Sequence, residues 1–183
     1  LIFDKTKLDL DYHVAVNPLV IKQSFTEFNK LQCTSFYHSN HYHKIDRENA
    51  FPIWTLNDFR FSGNLPFGVY EGFTVSFVAL QIAFYMGFKN VFLIGMDHNF
   101  RQSGKPNTQQ RLTTDDTNHF HPNYFKNNDW HLADMEGSEI AFSIAKRTFE
   151  SHGRQIIDAT KNGNLQVFSK MSFDKAVNQC QPK

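Results

Sequence analysis

Residues 91–100, VFLIGMDHNF, run four apolar side chains into Gly95 and then present Asp97, His98 and Asn99. A carboxylate that leaves a buried strand directly needs partners to offset its desolvation. Loop groups or a ligand hydroxyl would supply them. Asp97 is therefore a candidate catalytic residue, and Gly95, His98 and Asn99 are candidate substrate contacts. Two other apolar runs end in polar groups: YHVAVN closes on Asn17, and QIIDAT on Asp158 and Thr160. Asp158 and Thr160 read as turn and cap residues, whereas Asn17 joins the candidate ligand set. In open α/β sheets, ligands lie outside the carboxyl ends of the strands, so these ends are where chemistry is expected.

A second group lies in GVYEGFTVS, residues 68–76. Gly72 permits close backbone approach, and Thr74 and Ser76 sit where a helix would begin. A helix N-terminus offers unpaired N–H groups and the positive end of the dipole, which suits a phosphate. Neither a Walker A pattern nor GxGxxG occurs. The histidines form two sets: His38, His41 and His43 in one polar stretch, and His98, His119, His121 and His131 in or beside another. No HExxH or Cys/His finger spacing is present, so no metal is expected. Imidazole titrates near neutrality and suits general acid–base work instead. His131 and His119 are the candidate catalysts, with His121 a candidate substrate contact.

The elements that would position these residues follow from periodicity. Strands are expected at 12–17, 33–38, 51–56, 155–160 and 165–168, with a further one ending at Asp97. Pro18 suits the first position of a helix over 18–31. The segment 73–87 reads as a helix buried nearly all round, because Val75, Val78, Ala79, Ile82 and Met86 share one face and the opposite face is also mostly apolar; Gly87 stops it. A third helix spans 135–153, with Ile140, Ile144, Ala145 and Phe149 on its inner face. Residues 39–49 and 99–134 read as loops, the second long enough for a lid or binding loop. Strand, tight loop, buried helix, strand is βαβ grammar, so a mainly parallel sheet with helices on both faces is expected.

At 183 residues the chain suits one α/β domain, and its 20 phenylalanines predict an aromatic core. The net charge of +1 gives no electrostatic case for nucleic acid. Cys33 and Cys180 are too few for a disulfide framework and show no CxxC spacing, which points to a reducing cytoplasm. No apolar run approaches the ~18–20 residues of a membrane span. The opening LIFDKTKLDLDYHVAV reads as entering a fold partway.

The ordered blocks GFTVSFVALQIAFYMGFKNVFLIGMDHNF, HFHPNYF and IIDATKNGNLQVF resemble the MptE-like family, which includes motility accessory factors and 6-hydroxymethylpterin diphosphokinases. They are also similar to the bacterial family 42 sialyltransferases, and VAVNPLVIKQ fits the equivalent early strand and helix. The resemblance implies a Rossmann-like fold. Both groups usually begin with a strand and a GNGPSL-like loop on the nucleotide phosphates. Nothing like it occurs here, which fits a chain lacking its first βα unit. Sialyltransferase resemblance implies a CMP-linked sugar donor, a surface glycan or glycoprotein acceptor, no cofactor, and a loop histidine as base. By position that base is His131, with His119 and His121 as rivals. Asn99 stands where the first donor-phosphate tyrosine is expected. Diphosphokinase resemblance implies instead ATP with magnesium, Asp97 then being the metal-binding carboxylate. A third expectation is a non-catalytic part of a larger glycosylation protein, and a homo-oligomer is compatible with each.

Overall fold

The computed structural model describes residues 9–119 and 122–180. Strands β1 (Tyr12–Ala15), β2 (Thr34–His38) and β3 (Ala50–Ile53) form a parallel sheet in that order. Strands β4 (Thr55–Leu56) and β5 (Val69–Tyr70) form a short parallel pair. Strands β6 (Asn90–Leu93), β9 (Gln155–Asp158) and β10 (Ser169–Lys170) make a second three-stranded parallel sheet in the order β10-β9-β6. Between them in sequence, β7 (Gln109–Arg111) and β8 (Asp129–His131) pair antiparallel. The helices are α1 (Pro18–Phe28), α2 (Val75–Tyr85), α3 (Met135–Ser151) and α4 (Phe173–Cys180). The chain is thus a mixed α/β protein with parallel sheets.

The period-2 alternation of β2 explains how helices come to lie on both faces of the first sheet. Tyr37 joins Ala15, Ala50 and the α1 residues Ile21 and Phe28 in one core cluster. Phe36, one residue earlier, points the other way and packs with Ile53, Val16 and the α2 residues Val78 and Ile82. The remaining buried face of α2 (Phe77, Leu80 and Phe84) packs with Phe142 and Phe149 of α3, Ile156 of β9, Leu165 and Phe168. Helix α2 therefore belongs to the cores of both sheets, which is why it is apolar on opposite sides. Its one buried amide, Gln81, accepts from the backbone N–H groups of Ser62 (2.9 Å) and Tyr70 (3.0 Å) and donates to Tyr70 O (2.7 Å). That side chain ties the irregular segment before β5 to the helix.

Helix α2 is buried nearly all round, as expected; Val75 (41% exposed) and Met86 at the C-cap (37%) lie at its ends. Several other sequence expectations need correction. Strand β6 does not run through the interior, and Ile94 beyond its end is 63% exposed. Among the described residues β6 pairs only with β9, so one of its edges is open. The expected 51–56 strand divides at Trp54 into β3 and β4. Leu165 and Phe168 are core residues of a non-strand segment, and β10 begins just after them. The 99–134 stretch contains the β7–β8 pair rather than loop alone. Helix α4 had no counterpart in the sequence reading. No helix among the described residues is long and apolar enough to cross a membrane.

Candidate functional site

A cavity of about 860 Å³ opens where β1 and β5 end and α1 and α2 begin. Its size lies within the usual range for a small-molecule site. Asn17 lines it. The Asn17 Oδ1 caps α1 by accepting from Leu19 N (2.9 Å) and Val20 N (3.4 Å), and Pro18 supplies the first helical residue without an orphan N–H. The same side chain turns Nδ2 toward His131, 3.5 Å from Nδ1. Thr74 caps α2 by accepting from Ser76 N at 3.3 Å. Both helix N-termini thus border one cavity, and each contributes the positive end of a dipole.

The opposite wall is aromatic and comes from the 99–134 region. Trp130 and His131 lie on β8, whose pairing with β7 sets Gln109 opposite His131 and Gln110 opposite Trp130. Gln23 of α1 donates to Asp129 O at 2.9 Å and fixes β8 against the helix. Phe125 stacks on Trp130 with centroids 6.1 Å apart, and His119 stacks on Tyr124 at 4.5 Å. Burial, with the Asp116 carboxylate second, holds the Tyr124 hydroxyl protonated above its ordinary range. Phe59 and Phe73 form a further pair, 5.4 Å between centroids, on the Gly72 side. Phe73 adopts a left-handed φ of +61°, uncommon for a bulky residue, and packs against Gly137 at the start of α3, where an added Cβ would come within 2.6 Å of its ring.

The polar lining is acidic and amide-rich rather than basic. Glu71 accepts from Thr55 Oγ1 at 2.6 Å, and Asp58 pairs with Arg60 at 3.1 Å, so both carboxylates are already engaged. Among the described residues no group of three His, Cys, Asp or Glu side chains has the geometry to hold a metal ion. An anionic ligand would meet the two helix N-termini, the amides of Asn17, Asn57 and Asn107, and the two histidines.

Of the residues singled out from sequence, Asn17, Gly72, Thr74, His119 and His131 line this cavity together. Asp97, Gly95, His98 and Asn99 do not. Asp97 is exposed, with its backbone carbonyl bonded to Asn164 N at 2.8 Å. Its exposure removes the desolvation cost expected of it, and Gly95 two residues earlier takes a left-handed φ of +72°. His98 is pinned by Glu139 of α3 at 2.8 Å. Ser76 faces Met96, its Oγ 3.5 Å from the sulfur. His121 lies outside the described residues. Asp158 and Thr160 serve as the turn expected of them: Asp158 accepts from Thr160 N (2.8 Å) and Lys170 Nζ (2.6 Å), and Thr160 Oγ1 accepts from Met96 N (3.0 Å).

Sequence reasoning missed the aromatic wall (Phe59, Phe73, Phe100, Tyr124, Phe125 and Trp130) and the buried Asp116. The spacing D-x-x-H at 116–119, just ahead of the aromatic pair at 124–125, was the available signal. Compared with known proteins, the chain matches no family model, no curated protein and no solved structure.

Proposed function

We propose that the chain is a transferase that moves a sugar from a nucleotide donor, CMP-linked in the reading we favour, to a hydroxyl of a glycan acceptor. The observation that supports this most is the cavity itself: aromatic walls suited to a base and a sugar ring, two helix N-termini for the phosphate, and two histidines on one wall. In the reaction a pocket histidine, His131 or His119, takes the acceptor hydroxyl proton. The acceptor oxygen then bonds to the anomeric carbon while the bond from that carbon to the phosphate oxygen breaks. CMP leaves with the electron pair, stabilised by the α1 and α2 N-termini. Asn17, at the α1 N-terminus and beside His131, would touch both partners.

The same reading takes the two parallel sheets as halves of one Rossmann-like sheet. The open edges of β1 and β6, with α2 packed on both sheets, support this. A further parallel strand between those edges would complete it, as a preceding βα unit would provide. Thermal-shift titration with CMP, CDP and ATP, each with and without magnesium, tests the donor class. Metal-independent stabilisation by the cytidine nucleotides is the expected result. Stabilisation by ATP alone, and only with magnesium, would favour pyrophosphate transfer from ATP and set the glycosyl reading aside.

A further inference from the structure

His119 is held by a buried carboxylate, that of Asp116. Its Nδ1 lies 2.8 Å from Asp116 Oδ2. The Asp116 side chain is 2% exposed, that of His119 23%. Four rings enclose the imidazole: Tyr124 stacked at 7° to it, and Phe100, Phe125 and Trp130 edge-on with centroids at 5.8, 5.0 and 6.2 Å. This fixes the ring plane without satisfying its second nitrogen. Among the described residues none bonds to Nε2, and the ring lines the cavity.

An ionised carboxylate only accepts hydrogen bonds, so the bonding pattern assigns the ring proton to Nδ1 and the lone pair to Nε2. Asp116 is itself held in place. Its Oδ1 accepts from Asn118 N (2.9 Å), and its Oδ2 also accepts from Phe125 N (3.3 Å). A base whose far nitrogen is oriented by a buried carboxylate is a recurrent arrangement for proton abstraction. Among the described residues the His131 ring, by contrast, meets only the amide of Asn17, at 3.5 Å.

We propose that His119 is the proton acceptor of this cavity and Asp116 its positioning residue. The assignment rests on the transfer reading above, in which the acceptor hydroxyl gives its proton to Nε2 and the imidazolium later releases it to water.

Asp116→Asn is the informative change, because the amide must place its NH₂ against one existing donor. Against Asn118 N, at 2.9 Å, the clash is strong. Against Phe125 N, at 3.3 Å, it is weak, and His119 can relieve the rest by moving its own proton to Nε2. The expected result is a ¹⁵N spectrum showing Nδ1–H for His119 in the unaltered chain and Nε2–H in Asp116→Asn. Turnover falls about a hundred- to ten-thousand-fold with the donor KM little changed. Acylation of His119 by diethyl pyrocarbonate, followed by mass spectrometry, slows at least tenfold. His119→Gln serves as the second variant, since its amide still donates to Asp116 while offering no basic nitrogen. It should fold normally and lose turnover to the same extent. If no nucleotide sugar is turned over by the unaltered chain, the transfer reading fails while the tautomer and acylation results still decide the dyad. An unchanged tautomer and acylation rate in Asp116→Asn would overturn the proposal, as would full turnover in His119→Gln.

Discussion

Gly72→Ala isolates the contact that couples the cavity to the core. Gly72 has φ +56°, and a Cβ there would lie 2.3 Å from Phe77 Cδ1, 2.7 Å from Phe77 Cγ and 2.8 Å from Ala141 Cβ. Phe77 and Ala141 are each 1% exposed, so neither can swing into solvent to make room. Two costs add. Left-handed backbone in a residue with a Cβ costs about 1–2 kcal/mol, and forcing a methyl into a packed core costs about 1–3 kcal/mol. Their sum, about 2–5 kcal/mol, is a large part of the total stability of a typical domain. For a chain of this length it corresponds to a melting point lower by roughly 4–20 °C. Gly87→Ala is the matched control: its φ is +87°, but nothing lies within 4 Å of the added Cβ. Only the backbone cost applies there. Calorimetric melting and urea unfolding of both variants should rank Gly72→Ala below Gly87→Ala by about 1–3 kcal/mol, the packing share. Equal stability of the two would refute the packing of α2 against α3 described above.

Gln81→Leu should cost about 2–4 kcal/mol in urea unfolding, because it strands the N–H groups of Ser62 and Tyr70. It should also raise proteolysis in the 57–70 segment, and native-like cleavage there would count against the anchoring role of Gln81. His13, beside Phe28 and Tyr37, has its pKa lowered from 6.5 to about 4 by burial first and the Arg47 charge second. The unfolded chain binds that proton below about 6.5 and the folded chain only below about 4. Stability from this group is therefore fully present above pH 6.5 and falls as the pH drops toward 4, by about 3 kcal/mol. His13→Phe should flatten the pH dependence of unfolding between pH 7 and 4, and an unchanged slope would place the acid sensitivity elsewhere.

How much of this was legible beforehand differs between the two walls of the cavity. Asn17-Pro18 and Thr74 could be read because capping is local: the residue that ends a strand also begins a helix. Both caps lie where the sequence placed them, and both border the cavity. The parallel pairing of β1 with β2 and of β6 with β9 likewise followed from βαβ grammar. The position of a strand within its sheet is non-local, and VFLIG reads the same at an edge as at the centre. Asp97 was misplaced because the exposure of a strand's end is set by such non-local neighbours. The aromatic wall was hidden because β7 and β8 are three residues each and pair across 17 intervening residues, a register that no short-range pattern specifies. Gln81 was overlooked because one amide in an apolar helix looks like noise until its backbone partners are known.

The most direct test is acceptor-dependent release of CMP from a CMP-linked acid sugar, measured in metal-free buffer with a galactose-terminated oligosaccharide as the acceptor. The unaltered chain is compared with Val75→Trp, in which a large ring on the exposed cavity lip at the start of α2 fills the site without entering the core. The account predicts release that needs the oligosaccharide, needs no metal, and disappears in Val75→Trp while the melting point stays within a few degrees. Release at the same rate in Val75→Trp would contradict it, as would no release from the unaltered chain under conditions where ATP and magnesium support pyrophosphate transfer to a pterin.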